Sequence, residues 1–234
     1  MEFPFARNLM DRLAGFRLDS ASMVSVAVLA IGGTMGSLLT SPATTPTSED
    51  RPAVVSVASA WAPRPPAELN LRYDFEYQPN FYYCGPASTR IALSAQGYTL
   101  DQDELARRLG TTVNGTDSSY DIARVLNDVV GKDVYRVREI PGPTATPAEM
   151  DRLQADVVRS LNAGRVVVAN IVGGMTDNAG FWRNFPGGHY VTIVGYADEG
   201  RQVQVADPSG VGPHTYWIST IDMANWMASR GYAY

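Results

Sequence analysis

Apolar residues recur every third or fourth position through the first half of the folded part of the chain. In the second half they recur every second position or run without interruption. Ala87, Ile91 and Ala95 keep helical spacing and predict a helix over 87–96, stopped by Gly97. Pro86 suits its first turn, where a missing N–H costs nothing. Asp101-Gln102-Asp103-Glu104 resembles a capping box, with Asp101 as cap and Glu104 reaching back, ahead of Leu105, Leu109 and the stop at Gly110. A third helix is expected over 118–127 with Ile122, Val125 and Leu126 inward. Thr146-Pro147-Ala148-Glu149 opens a fourth, which runs to Gly164.

Strands are expected at 71–75 and 134–140, where apolar and polar residues alternate. The continuous run Val166-Val167-Val168-Ala169-Asn170-Ile171-Val172 reads as a buried central strand. Short strands follow at 189–196, 202–206 and 215–218, and a closing helix at 221–229 is anchored by Trp226. Helices first and an antiparallel sheet afterwards make the fold class α+β. Residues 173–188 exceed the usual connection length and read as a loop, a candidate flap beside His189. Most of Phe75, Tyr77, Phe81, Tyr82, Tyr83 and Trp182 are expected in the core, the alternative being that they line a substrate cleft.

Ahead of this region the pattern is different. Arginines in residues 1–20 precede the apolar run Met23–Ile31, which fades through glycines to Ser41 and Ala43. That order of basic, apolar and small residues is a signal-peptide pattern over 1–43, with cleavage expected after Ala43. The alternative is an uncleaved membrane anchor, for which the run is short and interrupted by glycines. Residues 44–68 are rich in Pro, Ser, Thr and Ala and are read as a disordered linker, because they cannot bury enough surface to offset their ordering entropy. The catalytic candidates then fall in a domain over 69–234, expected to be secreted or held at the cell envelope, with membrane contact only through an uncleaved leader.

Composition narrows the partners. The 234 residues carry a formal net charge of −5, and their basic groups are scattered, so no nucleic-acid-tracking surface is expected. Lys132 is the only lysine among 19 basic residues, a bias that fits a GC-rich bacterial genome. One cysteine and two histidines leave no disulfide and no multi-ligand metal site, so no metal or other cofactor is expected.

The single cysteine is the centre of the candidate chemistry. Cys84 stands at the start of a predicted helix, whose N–H groups and dipole favour a thiolate. Gln78, six residues earlier, carries an amide that can join the Cys84 backbone N–H in stabilising an oxyanion. A thiol nucleophile needs a base, and of the two histidines His189 follows Gly187-Gly188 at a strand start, where a substrate backbone can approach. His214 lies in a loop and ranks behind. With Glu199-Gly200 as a hairpin tip, Asp207 pairs near Thr192 and lies within reach of His189, whose tautomer it would fix. Asn170 and Asp198 are alternatives for that third role, and Asp207-Pro208 also reads as an ordinary turn.

Gln78-x5-Cys84-Gly85-Pro86-Ala87, then Gly188-His189-Tyr190-Val191-Thr192-Ile193-Val194-Gly195-Tyr196, then Ala206-Asp207-Pro208 resemble, in that order, the papain-like peptidases related to the bacteriocin-leader-cleaving, double-glycine family. The Gly115-Thr116 turn and Leu126-Asn127 share the likeness. Tyr83 departs from it, since many relatives have Asp before the cysteine. The resemblance implies a papain-like fold, a Cys84–His189–Asp207 triad with Gln78 in the oxyanion hole, and thiol-dependent hydrolysis of peptide bonds in a peptide or protein, including cell-wall peptides. A non-catalytic peptide or cell-wall binding module, and an amidase or transpeptidase acting on cell-wall peptides, are the other readings of the same residues.

Overall fold

The computed structural model describes residues 64–234; the expected leader and most of the expected linker lie outside them. Residues 64–68 run along the sheet, where the Pro66 carbonyl accepts from the Tyr196 hydroxyl at 3.0 Å and the Ala67 carbonyl from the Glu199 N–H at 2.9 Å.

Four helices form where caps and periodicity place them. These are α1 (Cys84–Ser94), α2 (Gln102–Leu109), α3 (Ser119–Val130) and α4 (Pro147–Asn162). Thr146 and Glu149 close a full capping box on α4, with Pro147 in the first turn. On α2 only the forward half forms. Asp101 accepts from the Glu104 N–H at 2.6 Å, while the Glu104 carboxylate turns to Arg108. Ser118 caps α3.

The strands are β1 (Leu69–Asn70), β2 (Val137–Ile140), β3 (Val167–Thr176), β4 (Trp182–Ala197), β5 (Gln202–Ala206), β6 (Thr215–Ser219) and β7 (Arg230–Ala233), with α5 (Thr220–Trp226) before the last. They make one antiparallel sheet in the order β2-β7-β3-β4-β5-β6, and β1 pairs with the far end of β4. Helices cover both faces. Ile91, Leu93, Leu105, Leu109, Ile122 and Leu126 of α1–α3 pack on Val166, Val168, Tyr190 and Val194. Leu153, Val157 and Leu161 of α4 and Met223 and Trp226 of α5 pack on Val167, Ala169, Ile171, Val191 and Ile193. Two covered faces explain why the 166–172 run is apolar without alternation. The α+β expectation holds, with helices on a second face as an addition.

Three expected elements come out differently. Residues 71–75 alternate between half-buried and exposed as a strand would, but they pair with no ladder beyond the Leu71 N–H to Val194 carbonyl bond. Asp74 instead gives its N–H to Ser94 Oγ at 2.9 Å and its carbonyl to Arg90. Of 134–140 only the second half is strand, because the Asn127 side-chain oxygen takes the N–H groups of Val134 and Tyr135.

The third difference is the largest. The expected flap 173–188 is mostly sheet. Gly173, Gly174, Met175 and Thr176 pair with Phe185, Asn184, Arg183 and Trp182, leaving only residues 177–181 as a turn. Asp177 Oδ1 organises that turn by accepting from the N–H groups of Ala179 and Phe181. The aromatic expectation also fails in part, since Phe81 is 81%, Trp182 60% and Tyr77 52% exposed.

Trp226 is the bulkiest fully buried side chain, and its indole N–H donates to the Gly173 carbonyl at 3.0 Å. Trp226→Ala is expected to cost about 3–5 kcal/mol in urea denaturation, the range for a large core truncation.

Candidate active site

Cys84 is the first residue of α1 and is buried. No side chain caps this helix and its first turn holds no acid, so the open N–H end is left to the sulfur. Gly85 follows because α1 starts hard against Thr116. A Cβ at position 85 would overlap the Thr116 side chain. Gly85→Ala therefore displaces the helix start, and a fall of about 10²-fold in peptide hydrolysis is expected from a shift of order 1 Å. Further along, Ser88 Oγ donates to the Tyr190 carbonyl at 2.9 Å and Thr192 Oγ1 donates to the Ser88 carbonyl at 3.1 Å. These two bonds lock α1 to β4.

His189 arrives on β4 just after an irregularity. Phe185 pairs with Gly173 and His189 with Ile171, so Pro186-Gly187-Gly188 stand opposite Val172 alone. Gly188 takes a positive φ of 93°, which permits the bend. The imidazole is buried and stacks on Phe185 at 4.2 Å between centroids. Phe185 in turn leans on Trp226.

Asp207 follows the last residue of β5. Ala206 pairs with Thr192, one residue away from the expected register, because β4 carries an extra residue between Ile193 and Gly195. Asp207 Oδ1 lies 2.8 Å from His189 Nε2 and accepts the Ser209 N–H at 2.9 Å. Nδ1 is the ring nitrogen not taken up by Asp207.

The electrostatics follow from these contacts. Burial pushes the Cys84 thiol up, but the His189 imidazole, with the N–H groups of Tyr190 and Gly85, outweighs it and holds the thiol below its ordinary value. Burial pushes His189 down, yet Asp207 and Cys84 together raise it to about 9. Burial pushes Asp207 up, and His189 and Ser209 reverse that, leaving it below the usual carboxylate range. Each group stabilises the charge on the next. These contacts favour the charged forms, a thiolate beside an imidazolium, relative to the same groups in water.

Gln78 lies in the turn before α1. Its Nε2 donates to the Asn80 carbonyl at 2.8 Å, and its backbone N–H donates to the Pro208 carbonyl at 3.0 Å. Its Oε1 is buried without a partner. The Asn80 carbonyl takes one of the two Nε2 hydrogens.

The other candidates stand apart. His214 stacks on Phe75 at 4.4 Å, and its carbonyl accepts the Asp207 N–H at 2.8 Å. Asp198 pairs with Arg201 at an exposed turn. Asn170 lies across from Tyr190 on β3. Among the described residues no group of His, Cys, Asp and Glu could hold a metal.

Three residues support the site in ways the sequence did not indicate, Thr116 having been singled out only as part of a turn. Thr116 packs at Gly85, and Arg183 and Tyr216 lie behind Asp207. The inward alternation of Arg183 with Phe185 was the available signal for the second, and the glycines around it obscured that signal.

No curated protein matches the chain. Among solved structures it is similar to the peptidase domain of Streptococcus ComA, a bi-functional ABC transporter involved in quorum sensing. That match has 14% identity and a TM-score of 0.46, covering 69% of this chain and 96% of that one. A putative C39-like peptidase from Bacillus anthracis matches at 16% identity and TM-score 0.46, covering 71% and 96%. Xylellain, a cysteine protease from Xylella fastidiosa, matches at 10% identity and TM-score 0.46, covering 73% and 86%. The family model described as Peptidase_C39 like family matches residues 70–234, which is most of the chain and includes all four candidate residues. The chain belongs to that family of cysteine peptidases.

Proposed function

We infer that this protein hydrolyses peptide bonds through a Cys84–His189–Asp207 triad and an acyl-enzyme intermediate. The observation that supports the reading is the buried His189 imidazole, whose Nε2 lies 2.8 Å from Asp207 Oδ1 and whose charge draws the Cys84 thiol below its ordinary value. In the first step the thiolate attacks the amide carbonyl, and the Cys84 N–H and Gln78 Nε2 hold the resulting oxyanion. The imidazolium gives its proton to the departing amine. A water, deprotonated by the now neutral imidazole, then attacks the thioester and returns Cys84. Asp207 stays ionised throughout and keeps the ring oriented. The substrate is a peptide or protein, with cell-wall peptides among the candidates.

Two measurements test this. Iodoacetamide is expected to alkylate Cys84 faster near neutral pH than it alkylates a free thiol, and Cys84→Ala to abolish cleavage of a peptide library. Alkylation no faster than a free thiol, together with unchanged cleavage by Cys84→Ala, would overturn the reading.

For the rest of the chain we propose a leader over 1–43, a tether that ends by residue 63 where the chain joins the sheet, and work outside the cytoplasm, supported by the order of basic, apolar and small residues. N-terminal sequencing of the protein from culture medium and envelope fractions tests that layout; an intact N-terminus in the cytosolic fraction would exclude it.

A further inference from the structure

Behind the triad lies a second buried charge pair that peptide hydrolysis as written does not use. Arg183 on β4 is 1% exposed, and its Nη1 lies 2.5 Å from Asp177 Oδ2, which is equally enclosed. Its Nη2 donates to the Pro213 carbonyl at 3.0 Å. Its guanidinium lies 3.6 Å over the Tyr216 ring and 4.6 Å from Phe181. The remaining donor, Nε, has no hydrogen-bond partner and stands 3.9 Å from Asp207 Oδ2.

That oxygen is the underused half of the Asp207 carboxylate. Oδ1 serves both His189 and Ser209, whereas Oδ2 has only the Tyr216 hydroxyl at 3.5 Å and the Arg183 Nε. Five buried groups therefore follow one another as Asp177, Arg183, Asp207, His189 and Cys84. In the reactive state their charges alternate in sign along the row.

We propose that Arg183 is a positioning residue of the active site, a fixed cation that keeps Asp207 ionised and oriented so that His189 can hold its proton beside the Cys84 thiolate. The inference rests on the triad reading. It follows from the cost of two carboxylates in one dry region. With the guanidinium between them, Asp177 and Asp207 can both be charged. Without it, like-charge repulsion and burial act together, and one of them takes up a proton. If Asp207 takes it, the imidazolium loses its counter-ion and the thiolate loses the imidazolium.

Arg183 also holds the 208–213 loop through Pro213, and the Pro208 carbonyl of that loop accepts the Gln78 N–H. Orientation of the acid and of the oxyanion donor thus share one support. The other titratable or charged groups facing the row are Tyr190 beside Cys84, Tyr216 beneath Asp207, and Arg230 on β7 beside Gly188. Burial pushes both tyrosines up, so they stay neutral in the range of interest.

The test reads the pH midpoint of Cys84 alkylation by iodoacetamide and, separately, kcat and KM on a cleaved peptide. Arg183→Gln is expected to raise the midpoint by about one unit, the scale of a close charge partner, and to lower kcat at neutral pH by about tenfold with KM little changed. Arg183→Lys retains the charge and is expected to return the midpoint towards that of the parent. Asp177→Asn removes the competing carboxylate and should leave the midpoint unchanged or lower. Gln and Lys variants with the same midpoint as the parent would overturn the inference. Where the Gln variant does not fold, a raised midpoint in folded Asp177→Asn would do so as well. A parent protein whose Cys84 alkylates no faster than a free thiol fails the triad reading instead, and this separates the two outcomes.

Discussion

His189→Ala is expected to reduce kcat/KM for peptide cleavage by about 10³- to 10⁴-fold, because one side chain supplies both proton transfers and the partner of the thiolate. The same substitution should erase the low-pH reactivity of Cys84 towards iodoacetamide. In the parent, activity needs the thiolate and the imidazolium together. It therefore rises as Cys84 ionises, below the ordinary thiol range, and falls as His189 loses its proton near pH 9. The pH profile of kcat/KM is expected to be a bell with an acid limb below the ordinary thiol range and an alkaline limb near 9. An alkaline limb near the ordinary imidazole value would mean that Asp207 does not hold the ring as described.

Asp177→Ala is expected to be strongly destabilising, at about 3–5 kcal/mol, because it removes the nearer of the two carboxylates facing a buried guanidinium. Urea denaturation of both proteins at pH 7 measures this. A loss under about 1 kcal/mol would mean that Arg183 reaches water once the partner is gone. The contribution also has a pH signature. Burial pushes Asp177 up, but the Arg183 guanidinium and two backbone N–H groups hold it below its ordinary range. A carboxylate depressed in the folded state stabilises fully above its unfolded pKa and loses that contribution as pH falls through the folded one. The parent should therefore weaken steeply in acid, and Asp177→Ala less so.

Local signals carried the helices. Caps at Asp101, Ser118 and Thr146 and the apolar spacing of α1–α4 act within a few residues, so they are readable in one dimension. The Cys84 and His189 candidates were legible for a similar reason, since each sits in its own short motif. Asp207 needed one step more, a hairpin register counted from Glu199-Gly200, and the extra residue in β4 shifted that count by one. What escaped depends on contacts across strands. Gly173 and Gly174 read as loop, but Gly174 is bare because the Trp182 ring lies over it. Residues 71–75 showed true alternation while their backbone partners belonged to α1 side chains. Arg183 meets Asp207 and Tyr216 only once β4, β5 and β6 are assembled.

The bond between the Gln78 N–H and the Pro208 carbonyl joins the beginning of the domain to its late strands. Chain order gives this junction a temporal meaning. On the triad reading, a polypeptide being synthesised displays Cys84 long before His189 and Asp207 exist to activate it. Through that interval the thiol keeps the sluggish reactivity of an ordinary cysteine. Proteolytic competence, on the same reading, arrives only once Asp207 has been made and the sheet has closed.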